Sequence, residues 1–177
     1  MNATYGDVTV ELKDNVALVE MHRPPHNFFD HDLIRNLADA FEAMDAEPEC
    51  RSLVLAAEGK SFCAGANFSS ERSEDTEGPA TIQTNPLYAE AVRLFACRKP
   101  VVAAGQGAAT GGGLGVARVA DFRVVCAETR FAANFTLLGI HPGFGLTYTL
   151  PRLIGPQKSA LMFYTGRRID GRTAVVW

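Results

Sequence analysis

The stretch "GQGAATGGGLG", Gly105 to Gly115, places six of the chain's 16 glycines in eleven positions. Glycine is costly inside a regular helix or strand, and useful where backbone must approach something closely or take a positive φ. The apolar run "KPVVAA" precedes it and "LGVARVAD" follows, so the glycines sit at a strand-to-helix turn. The first N–H groups of a helix have no partner within it, and the helix dipole is positive at that end. Three uses suit such a turn: holding the phosphates of a nucleotide, facing an oxygen that becomes negative during a reaction, or packing helix tightly on strand. The nucleotide patterns fit poorly. A G-x-G-x-x-G fingerprint begun at Gly105 meets Thr110 at its sixth position, and begun at Gly111 it meets Val116. A phosphate loop would need Gly-Lys-Ser/Thr after the glycines, and Leu114 stands there.

Elsewhere strand and helix signals alternate. "VTVEL" and "VALVEMH" read as two strands joined by the turn "KDN". Asp30 is placed to cap a helix in which Leu33, Ile34, Leu37, Ala38, Phe41 and Met44 recur at helical spacing, with Asp32 in its first turn. "RSLVLAA" reads as a strand, "PLYAEAVRLFACR" as a helix, "KPVVAAG" as a strand, "LGVARVAD" as a helix and "FRVVCA" as a strand. The polar stretch from Ser69 to Asn85 has no apolar period and is expected to be mobile. "FAANFTLLGIHPGFGLTYTLPRLIG" reads as loop, and "PQKSALMFYTG" as a helix with Pro156 at its first position and Gly166 just past its end. The expectation is one α/β domain over residues 1–177.

Composition narrows the function classes. A formal charge of −3, from 17 Lys+Arg and 20 Asp+Glu, lacks the basic face of a nucleic-acid binder. No apolar run reaches the length of a membrane span, and the start "MNATYGDVTVELKD" does not read as a signal peptide. The four cysteines, Cys50, Cys63, Cys97 and Cys126, form no CxxC pair, so neither a metal nor a disulfide is expected, and the cytoplasm is the expected location.

A second small-residue turn, "SFCAGANF", also follows an apolar strand. Two backbone N–H groups freed by two such turns and aimed at one point make an oxyanion hole. "RPPHNFFD", "SFCAGANF", "VVAAGQGAATGGGLGVARVAD" and "GIHPGFGLTYTLPRLIG" together resemble, in order and spacing, the signatures of the enoyl-CoA hydratase/isomerase (crotonase) family, from about Val8 to Trp177. The resemblance implies a crotonase-like β-spiral of repeated ββα units with covering helices. It also implies an acyl-CoA thioester substrate, no cofactor beyond the coenzyme A of that substrate, and a homotrimer or hexamer. "TGRRIDGRTAVVW" is similar to the start of a segment that continues in the family into further helices, so the C-terminal helical part is expected to be missing and the sequence incomplete.

The resemblance assigns the two oxyanion donors to the N–H groups of Ala66 and Gly112, and a side chain at Gly112 is expected to crowd the carbonyl oxygen. Ala64, Ala66, Asn67 and Phe68 fall on the loop that holds coenzyme A, with Asn67 where most members carry aspartate. Arg23 is a candidate for a coenzyme A phosphate, or else a solvated surface arginine. Hydratases of the family place one glutamate at the position of Gly115 and another at that of Phe135, and some relatives place an aspartate at that of Gly143; none of these residues can transfer a proton here. Phe135 is expected to wall the acyl pocket. His141 is the acid–base candidate, against the alternative of an imidazole bonded to its own loop. Tyr148 is read as core, Cys63 as a small buried residue, and His26 as a weaker candidate near coenzyme A. The expected chemistry is of the hydratase or isomerase type. Decarboxylation, C–C hydrolysis or lysis, and a non-catalytic CoA-binding subunit are the alternatives.

Overall fold

The computed structural model describes residues 1–66 and 85–177. Its larger sheet has six strands in the order β1-β2-β3-β4-β5-β7: β1 (Asn2–Tyr5), β2 (Val8–Lys13), β3 (Val16–Met21), β4 (Ser52–Ala57), β5 (Val101–Gly105) and β7 (Phe122–Val125). The first three are antiparallel neighbours, and from β3 onward every pair is parallel. Alternate residues of β2 to β5 (Val8, Val10, Ala17, Val19, Leu53, Leu55, Val101 and Ala103) are buried, as one face of a pleated sheet requires. Helix α1 (His31–Ala46) covers that face near β1 to β3, and all six apolar positions read from its sequence are buried. Asp30 caps it, its Oδ1 accepting from the Leu33 N–H at 3.0 Å.

A smaller sheet, in the order β6-β8-β9, lies beside the first: β6 (Ala108–Thr110), β8 (Arg130–Ala132) and β9 (Arg168–Asp170). The chain runs from a long strand of the large sheet into a short strand of the small one, β5 into β6 and β7 into β8, which is the repeated step of the β-spiral. Gln106 secures one corner, its Nε2 donating to the Ala57 and Gly59 carbonyls at 2.6 and 3.2 Å. The remaining helices are α2 (Pro86–Leu94), α3 (Gly112–Val119), α4 (Leu146–Ile154), α5 (Pro156–Thr165) and α6 (Gly171–Val176).

Several expectations need correction. The segment read as loop holds the last two residues of β8, Phe131 and Ala132, a 3-10 turn (Asn134–Leu138) and the whole of α4, which carries Pro151 inside it. α2 ends at Leu94 rather than Arg98, and α3 starts on the glycines themselves. Asn85 is no part of a featureless stretch: its Oδ1 accepts from Leu87 N–H at 3.0 Å and caps α2. The rest of that stretch, from Ser69, lies outside the described residues. Tyr148 is 63% exposed rather than core, with the Arg152 guanidinium 3.4 Å above its ring. No helix among the described residues is long and apolar enough to cross a membrane.

Candidate active site

The two small-residue turns lie against each other. After β4, the Cys63 N–H donates to Ala108 O at 3.0 Å and Cys63 O accepts from Thr110 N–H at 3.1 Å, so the first turn is laddered to β6. Ala64 N–H donates to His26 O, and Gly65 O accepts from Phe29 N–H, each at 2.9 Å. Gly65 then takes φ +99°, which only glycine adopts easily, and the next amide, Ala66 N–H, donates to no described backbone group. The second turn repeats this device. Gly111 N–H donates to Ala132 O at 2.9 Å, Gly111 takes φ +54°, and the next amide, Gly112 N–H at the start of α3, has no described partner. A Cβ built on Gly65 would stand 3.0 Å from Thr110 O and 3.7 Å from Gly112 N, so glycine is what allows the two turns to meet.

Ala66 and Gly112 both line a cavity of about 220 Å³. Its apolar walls are Phe29, Leu87, Phe135, Leu138, Ile140 and Phe144. Its polar side chains are Asn85, Tyr88, Asn134 and His141, and no acidic or basic carbon-chain residue is among the described lining. The volume is roughly that of seven liquid waters, the scale of a short acyl group.

Phe29 touches both turns. Its N–H holds Gly65 O, and its ring fills the space over Gly112, where a built Cβ would lie 2.8 Å from the ring edge. A side chain at Gly112 thus meets the Phe29 ring. Phe29 also packs against Phe144, with ring centroids 5.6 Å apart. Phe144, itself at φ +55°, fills the space above Gly115: a Cβ there would sit 2.7 Å from its ring. At Gly143 the corresponding space holds the Tyr88 hydroxyl, with the ring carbon bearing it 3.3 Å away.

Of the residues expected at the site, Ala64, Ala66, Gly112, Phe135 and His141 line the cavity. His141 is exposed and makes no hydrogen bond among the described residues, so the alternative of an imidazole tied to its own loop finds no support. Arg23 does not line the cavity. Its guanidinium is held by Asp7 at 2.6 Å and Asp30 at 2.8 Å; burial alone would lower its pKa, but these two carboxylates raise it. A cation so neutralised is a poor phosphate ligand, and its two ion pairs tie the β1–β2 turn to the start of α1. Asn67 and Phe68 lie outside the described residues. His26 donates or accepts with Ser61 Oγ at 3.0 Å, away from the cavity lining. Cys63 is fully buried, and burial pushes its thiol up to about 12, the behaviour of a structural cysteine. Among the described residues no cluster of His, Cys, Asp and Glu could hold a metal. Sequence reasoning missed Tyr88 and Asn134. The only signal for Asn134 is a polar residue inside the otherwise apolar "FAANF".

A mixed β-spiral in which two glycine-led turns meet beside one cavity defines the fold class. The chain belongs to the enoyl-CoA hydratase/isomerase family, whose model matches residues 11–177. It is 34% identical over 176 residues to the protein named "Probable enoyl-CoA hydratase EchA14" of Mycobacterium tuberculosis, covering 98% of this chain and 68% of that one. It is 32% identical to the "Crotonyl-CoA hydratase" of Syntrophomonas wolfei, covering 96% and 66%. Among solved structures, an enoyl-CoA hydratase/isomerase from Pseudoalteromonas atlantica superposes with a TM-score of 0.84 at 26% identity, covering 96% of this chain and 66% of that one. The chain thus spans about two thirds of the length of these relatives.

Proposed function

We propose that the protein binds an acyl-CoA thioester with its carbonyl oxygen accepting hydrogen bonds from Ala66 N–H and Gly112 N–H. As electrons move from the α-carbon onto that oxygen, the two fixed donors stabilise the enolate-like charge, each contributing about 10²- to 10³-fold in rate. The observation that carries this reading is the repeated device of a positive-φ glycine followed by an amide with no partner among the described residues, at Gly65–Ala66 and Gly111–Gly112, beside one cavity. The names of its relatives support the hydratase or isomerase type. His141, an imidazole at the cavity edge, is the group that exchanges a proton with the substrate. No cofactor beyond the substrate's own coenzyme A enters this reading. Assembly as a homotrimer or hexamer goes with it, and exposed Phe122, Val124, Tyr164 and Val175 offer apolar surface for such contacts.

Incubation with crotonyl-CoA tests the reading. Loss of the conjugated enoyl absorbance is the expected result; binding without turnover points to the non-catalytic subunit, and absence of any acyl-CoA binding overturns the reading. A second reaction is favoured by the absence of acidic side chains from the described lining, with Phe144 over Gly115, Tyr88 against Gly143 and Phe135 in the wall. In decarboxylation of a 2-carboxyacyl thioester, the bond from the carboxylate carbon to the α-carbon breaks and its electron pair passes into the enolate. Carbon dioxide leaves and solvent supplies the proton, so no carboxylate base is needed. Carbon dioxide release from methylmalonyl-CoA, with crotonyl-CoA unchanged, would select this reaction. C–C hydrolysis or lysis draws on the same carbonyl grip.

A further inference from the structure

Charge is unevenly spread along the chain. From residue 129 onward the sequence holds Arg130, Arg152, Lys158, Arg167, Arg168 and Arg172, against Asp170 alone. Three of these, Arg130, Arg167 and Arg168, line one open pocket of about 410 Å³ together with Ile169, Asp170, Thr173 and Trp177. Pairing of β8 with β9 sets Arg130 opposite Asp170 and Arg168 opposite Ala132, so both arginines share one face of the small sheet. Like charges that close on one face are unfavourable. The one carboxylate in the pocket is already committed: Asp170 Oδ1 accepts from Thr173 N–H at 2.8 Å and caps α6. Hydrogen bonds from Thr173 and, more weakly, the charge of Arg130 hold it below the usual carboxylate range. None of the three arginines forms an ion pair among the described residues. Only Arg130 uses its guanidinium there, donating to the Ala127 and Thr129 carbonyls at 3.2 and 3.0 Å. Lys158 Nζ adds a further cation, 5.5 Å from the centre of the Trp177 ring.

We propose that this pocket binds an oligophosphate, the chemistry shared by short inorganic polyphosphates and the phosphate chain of a nucleotide. A planar guanidinium forks onto two phosphate oxygens, and such charge-assisted pairs are stronger than neutral hydrogen bonds. Three guanidiniums around one pocket call for a ligand with several negative charges; a single carboxylate answers only one of them. Size sets the other limit. The rest of the chain carries more Asp and Glu than Lys and Arg, so a long polyanion that overran the pocket would meet repulsion. A short run of phosphates satisfies both conditions. The pocket shares no lining residue with the cavity beside the glycine-led turns, so the proposal stands apart from the thioester reading.

The test titrates inorganic triphosphate into the full chain at about 0.15 M ionic strength. Binding is followed by calorimetry and by the emission of Trp177, the chain's one tryptophan. Triphosphate should change that emission and bind at least about tenfold more tightly than phosphate. Arg167→Gln with Arg168→Gln should weaken it by about tenfold or more. Both residues are exposed, so the melting temperature should hold. Arg51→Gln with Arg152→Gln removes the same charge outside the pocket, and should leave affinity within about twofold. Three results overturn the proposal: no triphosphate binding, binding that leaves the Trp177 emission unchanged, or an equal loss in both double variants. Binding that survives the change at Arg167 and Arg168 overturns it as well. ATP tells the sources apart, since tighter binding than triphosphate assigns a nucleotide and equal or weaker binding assigns the inorganic chain. No thioester enters the experiment, so its failure leaves that reading standing.

Discussion

The layer of α1 on β1 to β3 and the junction of the two glycine-led turns are both closely packed, but by opposite means. In the first, Leu33, Leu37, Phe41 and Met44 fill the space between helix and sheet. In the second, space is closed by main chain meeting main chain: a Cβ on Gly113 would strike the Cys63 carbonyl, and one on Gly107 would come 2.9 Å from the Lys60 carbonyl carbon. One region depends on the side chains it has and the other on those it lacks. Deletions should therefore damage the first and additions the second.

The largest effect expected is Gly113→Val, which drives a branched side chain into backbone that cannot yield. It should cost at least ~3 kcal/mol and leave little soluble folded protein in a chemical-denaturation series. Leu37→Ala, the opposite change in the opposite region, should cost about 3 kcal/mol through the cavity it opens, while Leu37→Met should cost under about 1.5 kcal/mol. Equal tolerance of Gly113→Val and Leu37→Met would break the comparison. Gly112→Ala falls between, since its neighbour is a ring that can shift. Stability should drop by only about 1 kcal/mol, but acyl-CoA turnover should fall on the order of 10²-fold as the amide is displaced.

Asp30→Ala sharpens the first region's side, removing a helix cap and a partner of Arg23 at a cost of about 1 kcal/mol. Burial alone would raise the Asp30 pKa, but the Arg23 guanidinium and the Leu33 N–H outweigh it and hold the carboxyl below its usual range. A depressed folded-state pKa contributes stability above the unfolded-state value and loses it as pH falls through the folded one. The difference in melting temperature between wild type and variant should therefore be full at pH 7 and shrink below about pH 4. The smallest effect is chemical. Iodoacetamide should label exposed Cys126, whose thiol the Thr129 hydroxyl lowers, well before Cys63, which should react only on unfolding.

The same contrast explains what was legible in the sequence. α1 was readable to its cap because apolar side chains at helical spacing and an aspartate before them are local signals. α4 was not, because Gly145 at its start and Pro151 within it read as breakers, and the helix holds through burial of Leu146 and Leu150. The short strands β1 and β9 carry too few residues to show a period, and their partners supply the order. At the site, the bare turns announced themselves by composition. What they could not announce is which side chains arrive from elsewhere: Phe144 over Gly115, Tyr88 against Gly143 and Phe29 over Gly112 are all contacts between distant parts of the chain.

Phe29 gives that last contact a wider meaning. One residue braces both turns, through its main chain at Gly65 and its ring at Gly112, so the two amides share a single abutment. Their separation is not adjustable from either side alone. A displacement of the Phe29 main chain is felt at both at once, and a larger residue at 112 is tolerable only alongside a smaller one at 29. The aperture behaves as a caliper whose jaws turn on one pin.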